Sequence, residues 1–128
     1  MSFCTAINCM DGRTQLPVNE YLRHQLGVTY VDTVTEPGPV RILADEPDSE
    51  SARAILRRVD ISTSKHDSHC VAIVAHEDCA GDPVCEEIQR EQLDRAVRFV
   101  AARYPSVRVL GLWVDAHGTV SQIFSTPS

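Results

Sequence analysis

The chain has 128 residues, of which 43% are hydrophobic and 23% are charged, and it carries a formal net charge of -6. This size and composition predict one folded domain, residues 1–128, and the acidity argues against nucleic acid as a partner because phosphate binding needs a basic surface. Since the chain lacks an apolar run of about 20 residues and a signal-peptide pattern at its start, we expect a cytoplasmic protein with reduced cysteines and no membrane partner.

The first third of the chain predicts two strands separated by a short helix. Residues 3–8 are mostly apolar and end at a turn signal, which indicates a buried strand. In residues 17–26 apolar side chains recur every fourth position, and Gly27 is suited to end a helix there. Residues 28–34 are β-branched and aromatic, which is typical of a second strand. A loop at residues 36–39, with two prolines and a glycine, is expected to lead into irregular structure.

The middle of the chain predicts a helix followed by the most buried strand. Ser49 can cap a helix whose apolar stripe consists of Ala52, Ile55, Leu56 and Val59. The polar residues 62–68 are expected to end that helix. Residues 69–75 form the most hydrophobic stretch of the chain, which predicts a central parallel strand covered on both faces.

The last third predicts one long helix and two strands. Residues 83–103 have the pattern of a helix, with inner positions at Ile88, Leu93, Ala96, Val97 and Val100. Residues 107–114 predict a strand, and a turn leads from it to an antiparallel edge strand over residues 120–124. Strands that alternate with helices predict an α/β fold with a mostly parallel sheet of about five strands, flanked by helices.

Candidate metal ligands follow two of these strands. Cys9 comes after the first strand, and His76 comes after the strand over residues 69–75. Ligands bind beyond the carboxyl ends of parallel strands, so we expect these side chains to lie together. Cys79 completes a His-x-x-Cys pair, and one imidazole with two thiolates suits zinc and leaves a fourth position free. The residues alone also allow two small buried thiols and a hydrogen-bonded histidine without a metal.

A charged pair lies next to the first candidate ligand. Asp11 and Arg13 stand two positions apart, so in an extended loop their side chains project to the same side. A guanidinium can hold a carboxylate in a bidentate pair. Beside a zinc ion the carboxylate could orient a nucleophile or close the metal site itself. The alternative is a surface ion pair that contributes less than about 1 kcal/mol.

The two motifs together resemble the signature segments of a known family. Cys9-Met10-Asp11-Gly12-Arg13 and Ala75-His76-Glu77-Asp78-Cys79-Ala80-Gly81 are similar to the Cys-x-Asp-x-Arg and His-x-x-Cys segments of the β-class carbonic anhydrases. The resemblance implies that family's fold and a zinc ion bound by Cys9, His76 and Cys79. It implies a catalytic dyad of Asp11 and Arg13 that controls the fourth position. It also implies carbon dioxide and bicarbonate as the small-molecule substrates.

Several features depart from the family pattern. Gly12 stands where serine is usual, and Ala80 stands where the first glycine is usual. Against that pattern the sequence is short, is expected to lack much of the N-terminal helical arm, and has residues 34–39 in place of an asparagine- and glycine-bearing loop. A compact carbonic anhydrase-like subgroup is implied. Two other functions stay open: a zinc hydrolase acting on carbonyl sulfide or carbon disulfide, and a non-catalytic zinc domain in which Asp11 is the fourth ligand.

The remaining cysteine, histidine and tryptophan residues are expected to have structural roles. Cys4 and Cys70 fall within predicted strands and are assigned to the core. Cys85 stands at the start of the long helix, where a redox role is a further hypothesis. We expect a homodimer or higher homo-oligomer, because the chain leaves an exposed strand edge and an apolar surface near Trp113. The other histidines are expected to be solvated: His24, His66, His69 and His117.

Overall fold

The computed structural model describes residues 2–126, which form a five-stranded sheet in the order β2-β1-β3-β4-β5. The first four strands in the chain are parallel, and β5 runs antiparallel to β4 at one edge. The strands are β1 (Phe3–Cys9), β2 (Tyr30–Glu36), β3 (Cys70–His76), β4 (Arg108–Val114) and β5 (Val120–Ser125). The predicted α/β architecture, with five strands of which only the last is antiparallel, is confirmed.

Four α-helices cover the two faces of the sheet unequally. They are α1 (Gln15–Leu26), α2 (Pro39–Asp45), α3 (Glu50–Lys65) and α4 (Glu86–Arg103). The side chains of β3 alternate between the faces, as strand geometry requires. Ala72 and Val74 pack with α1, whereas Val71 and Ile73 pack with the other three helices. None of the helices within residues 2–126 is long and apolar enough to cross a membrane.

Helix α2 lies where irregular structure was predicted, so that prediction was wrong. Gly38 adopts the left-handed conformation, with φ of 62°, immediately before Pro39 at the first helical position. Proline is favoured there because its missing N–H needs no partner in the first turn. The short helix is stabilised mainly by burial of its apolar side chains, which are Pro39, Val40, Ile42 and Leu43.

Helix α4 also differs from its predicted form. It begins at Glu86, with Cys85 as the N-cap residue, three positions later than expected. Ile88 is 50% exposed instead of facing the core, while the polar Gln89 is 2% exposed. Trp113 is only 4% exposed and packs in the core, so it does not itself supply the predicted apolar surface. Cys4 and Cys70 are buried in the core, as predicted.

The order of the strands creates an opening between β1 and β3. The chain leaves β1 towards β2 on one side and leaves β3 towards β4 on the other, which makes the gap between β1 and β3 a topological switch point. The two strands pair only between residues 5–7 and residues 71–73. Beyond those residues they diverge, so Cys9 and His76 end on opposite sides of a crevice.

Candidate metal centre

Three potential metal ligands meet in this crevice. Cys9 ends β1, His76 ends β3, and Cys79 lies in the turn that follows β3. Their ligand atoms all lie within 4.8 Å of one another, and the Sγ atoms of the two cysteines are 3.8 Å apart. All three residues are buried. The structure therefore brings together the three residues that the sequence predicted as metal ligands.

The imidazole of His76 is oriented with one nitrogen free. Its Nδ1 lies 2.8 Å from the carbonyl oxygen of Glu77, which can only accept, so Nδ1 carries the proton. Its Nε2 is buried and has no hydrogen-bond partner among the described residues. A buried polar atom without a partner is costly, and a metal ion beside the two thiols would remove that cost. A carbonyl holding the other nitrogen is the usual arrangement behind a metal-bound histidine.

The contact between the two thiols shifts their pKa values in opposite directions. The hydrogen bond with Cys79 and, against the effect of burial, the nearby imidazole of His76 lower the pKa of the Cys9 thiol. The same hydrogen bond to Cys9 and burial raise the pKa of the Cys79 thiol. Burial lowers the pKa of His76, but its contacts with Cys9 and with the Glu77 carbonyl outweigh that effect and raise it. Two thiols and an imidazole held this closely form a ligand set that a divalent cation would complete.

Backbone N–H groups from two loops support the sulfur atoms. The backbone amides of Gly38 and Asp11 lower the pKa of the Cys9 thiol. The backbone amides of Gly81 and Asp82 partly offset the rise in the pKa of the Cys79 thiol. Such donors stabilise thiolates without adding charge. Residues 34–39, which the sequence marked as a replaced family loop, thus contribute a donor to the centre.

Two glycines allow these loops to approach each other. A Cβ atom built on Gly81 would lie 2.4 Å from the carbonyl carbon of Pro37. One built on Gly38 would lie 2.7 Å from the carbonyl carbon of Gly81. Only glycine permits backbones this close. Sequence reasoning did not identify these supporting residues, although the Pro-Gly-Pro segment was a signal of special backbone geometry.

Asp11 and Arg13 form the bidentate pair that their spacing predicted. Arg13 Nη2 donates to Asp11 Oδ2 at 2.6 Å and Arg13 Nε donates to Oδ1 at 3.0 Å. The Arg13 amide also donates to Oδ1, at 2.9 Å. The hydrogen bond from the Arg13 side chain lowers the pKa of Asp11 far below its usual range, so the carboxylate stays ionised. Asp11 is not a member of the three-residue ligand cluster.

Arg13 also connects the two loops that hold the ligands. Its Nη2 donates to the carbonyl oxygen of Asp78 at 3.1 Å, and Nη1 lies 3.4 Å from the Asp78 carboxylate. Asp78 has a φ of 55°, a conformation that non-glycine residues rarely adopt. This strained turn places Cys79 next to His76, and the guanidinium of Arg13 fixes it from the other side of the crevice.

A cavity of about 440 Å³ opens beside the centre. Its lining includes His76, Arg13, Thr14 and residues 114–118. A larger cavity of about 670 Å³ lies at the other ends of the strands, next to Phe3 and Arg108. His76 of the ligand cluster and Arg13 of the charged pair line the smaller cavity, whereas no member of either lines the larger one, so we assign the chemistry to the smaller cavity.

The fold and the site together define a protein of the β-carbonic anhydrase type, and comparison with known proteins gives its family. Residues 1–124 match the family model described as "Putative carbonic anhydrase". The chain therefore belongs to that family. Family and fold together make it a lyase-type enzyme of the carbonic anhydrase kind. A comparison with curated protein sequences found no match.

Solved β-carbonic anhydrase structures share the fold at low sequence identity. A carbonic anhydrase from Glaciozyma antarctica is 16% identical with a TM-score of 0.63, covering 94% of this chain and 81% of its own. One from Streptococcus mutans is 14% identical with a TM-score of 0.60 and the same coverage. A β-carbonic anhydrase from Sordaria macrospora is 14% identical with a TM-score of 0.56, covering 97% and 82% of the two chains.

Proposed function

We propose that this protein catalyses the zinc-dependent, reversible hydration of carbon dioxide to bicarbonate. Cys9, His76 and Cys79 would hold the zinc ion, and Asp11 with Arg13 would act on the water that reacts. The observation that carries this proposal is a buried cluster of three soft or borderline ligands, with an unpartnered imidazole nitrogen, beside an ionised carboxylate. A bound zinc ion supplies Lewis acidity that makes water nucleophilic near neutral pH.

Asp11 is suited to orient the attacking water. An ionised carboxylate can only accept hydrogen bonds, so it selects a water whose O–H points towards it and whose lone pair points away. Its two oxygens have about four acceptor positions. Arg13 fills several of them, through Nε, Nη2 and its backbone amide. The remaining capacity is available to one water molecule.

Arg13 is suited to keep Asp11 away from the metal. The guanidinium holds both carboxylate oxygens and is itself anchored to the Asp78 carbonyl, so Asp11 would have to break these bonds to become a ligand. This arrangement supports an open fourth position over a closed one. Catalytic zinc sites typically combine three protein ligands with one exchangeable position.

The dyad is tested by Asp11→Asn and Arg13→Ala in protein whose zinc content has been measured. Both variants are expected to keep about one zinc per chain and to lower the carbon dioxide hydration rate by roughly 100-fold, the scale of a general acid–base contribution. Arg98→Ala removes another exposed arginine–aspartate pair and is expected to leave the rate unchanged. Stopped-flow hydration with a pH indicator measures all three. Loss of zinc from Asp11→Asn would instead identify Asp11 as a ligand and contradict the proposed role.

The same proposal includes a homodimer or higher homo-oligomer. The Sordaria macrospora relatives are described as tetrameric. In this chain β2 is an edge strand. Large exposed apolar side chains lie close in sequence to the ligand segments or at the start of α1 and α4, namely Met10, Leu16, Val84 and Ile88. Exposed apolar side chains of this size favour association. Light scattering at micromolar concentration is expected to give at least twice the mass of one chain, and a monomer throughout would contradict this part.

A further inference from the structure

Gln89 makes two hydrogen bonds to the backbone of His76. Its Oε1 accepts from the His76 N–H at 3.0 Å, and its Nε2 donates to the His76 carbonyl oxygen at 2.9 Å. Gln89 lies in the first turns of α4 and is 2% exposed. The side-chain amide therefore pairs with His76 as a residue of a neighbouring strand would.

These bonds replace a strand partner that the crevice removes. On one side of the strand end, the Glu77 amide donates to the Val114 carbonyl of β4. Backbone groups of successive residues in a parallel strand point to alternate neighbours, so the groups of His76 point towards β1. Pairing between β1 and β3 stops at Ile7 and Ile73, which leaves His76 without a β1 partner. An unpaired buried backbone group is unfavourable, and Gln89 pairs with both the N–H and the carbonyl oxygen of His76.

The two bonds also fix the direction of the imidazole. They hold the peptide groups on both sides of the His76 Cα atom, and so they fix its backbone dihedral angles and the direction of its Cα–Cβ bond. The bond from Nδ1 to the Glu77 carbonyl then sets the rotation and tautomer of the ring. With these restraints Nε2 is held near the two cysteine sulfurs.

We propose that Gln89 is a positioning residue for the metal centre. It allows β1 and β3 to separate widely enough for an ion while it keeps His76 in ligating geometry. This inference rests on the proposed function only in requiring a metal at Cys9, His76 and Cys79. A merely structural role would instead limit Gln89 to joining α4 to the sheet.

Gln92 provides a matched control for the structural role. It lies three residues further along the same helix, is 4% exposed and donates through Nε2 to Asp45 Oδ2 at 3.2 Å. It has no hydrogen bond to His76. Gln89→Met and Gln92→Met each remove a buried amide at nearly constant side-chain length. Gln89→Glu keeps the acceptor for the His76 N–H but loses the donor to the His76 carbonyl, which gives a second variant should Gln89→Met not fold.

The test combines zinc affinity with the absorption spectrum of the cobalt-substituted protein. Zinc affinity is measured by competition with a chromophoric chelator. Removal of an outer-shell partner typically weakens metal affinity by about 10- to 100-fold, and we expect Gln89→Met to do so and to shift the cobalt ligand-field bands. Gln89→Glu is expected to show a smaller effect in the same direction, and Gln92→Met is expected to leave affinity and spectrum unchanged.

The outcomes separate this inference from the proposed function. If Gln89→Met or Gln89→Glu binds zinc and cobalt as the unaltered protein does, or if Gln92→Met produces an equal change, Gln89 has only a structural role and the inference is overturned. If the unaltered protein itself binds no zinc, the proposed metal centre fails and the inference fails with it.

Discussion

The polar side chains at the two ends of the parallel strands differ in whether they have hydrogen-bond partners. At the amino ends, Thr5 Oγ1 donates to Ser62 Oγ at 2.6 Å, and Ser62 Oγ donates to Asp32 Oδ2 at 2.7 Å. Ser68 lies 2.8 Å from the same hydroxyl, and His66 lies 2.6 Å from the same carboxylate oxygen. Every side chain of this network has a protein partner. The network joins α3 to β1 and β2, and its hydrogen bonds are made within the protein and not to a ligand.

At the carboxyl ends, by contrast, buried atoms lack partners. His76 Nε2 and both carboxylate oxygens of Asp82 are unpaired among the described residues. The larger cavity lies at the satisfied end and the smaller one at the unsatisfied end. Unpaired ligand atoms, not cavity size, therefore identify the functional end of this sheet. Helices α1 and α3 also end next to the larger cavity, so the carbonyl groups of their last turns point to that side.

The largest contrast is expected from Cys9→Ser. It removes a thiolate that a serine hydroxyl cannot replace as a zinc ligand, so zinc content should fall from about one per chain to a small fraction. Hydration activity should fall with it. Cys85→Ser, which changes an exposed cysteine outside the cluster, is expected to keep its zinc content and its hydration activity. Elemental analysis of the purified variants measures this. Full zinc occupancy in Cys9→Ser would show that the carboxyl end is not the metal site.

A smaller effect of a different kind is expected from Ser62→Ala at the amino ends. The change deprives Asp32 of a donor and leaves the Thr5 hydroxyl without its acceptor, which should lower the free energy of unfolding by about 1–3 kcal/mol. Zinc content should be unaffected. Ser64→Ala, on the exposed side of the same helix, is expected to stay within about 0.5 kcal/mol. Denaturant unfolding measures both variants. Loss of zinc from Ser62→Ala would contradict the assignment of metal binding to the carboxyl ends alone.

The smallest effect is expected from Asp82→Asn, which tests whether every unpaired atom at the carboxyl ends serves the metal. Asp82 is buried beside Gln92, whose Oε1 also lacks a partner. Burial raises the pKa of the Asp82 carboxyl, as expected of an uncompensated charge. Asparagine removes that charge and offers a donor, so the free energy of unfolding should rise by about 1 kcal/mol with zinc retained. Asp94→Asn, a partly exposed control, is expected to change little. Loss of zinc from Asp82→Asn would instead link this residue to the centre.

The sequence predicted those parts of the molecule that depend on local pattern. The continuous apolar run of residues 69–75 predicted the central strand, and that strand ends at His76 as expected. The spacing of Asp11 and Arg13 predicted their bidentate pair. Both features follow from period and chemistry within a few residues, and strand order then brings Cys9 and His76 to one edge.

Features that depend on tertiary contacts were not predictable. Helix α2 forms because the sheet buries its apolar side chains, although Pro-Gly-Pro alone indicated a loop. Ile88 was expected to face the core, but Gln89 does so instead. The helix α4 begins later than its proline suggested, and the buried amide of Gln89 pairs with the backbone of His76. Gly38 and Gly81 support the cysteines through a contact between residues 43 positions apart, which no local pattern contains.

The most direct test of the account is removal and return of the metal in the unaltered protein. Zinc is stripped with a chelator, its absence is confirmed by elemental analysis, and carbon dioxide hydration is followed by stopped flow before and after zinc is added back. We expect the rate to fall to that of buffer without the metal and to recover as zinc reaches one per chain. A zinc-loaded protein that hydrates carbon dioxide no faster than buffer, between mildly acidic and alkaline pH, would contradict the proposed function.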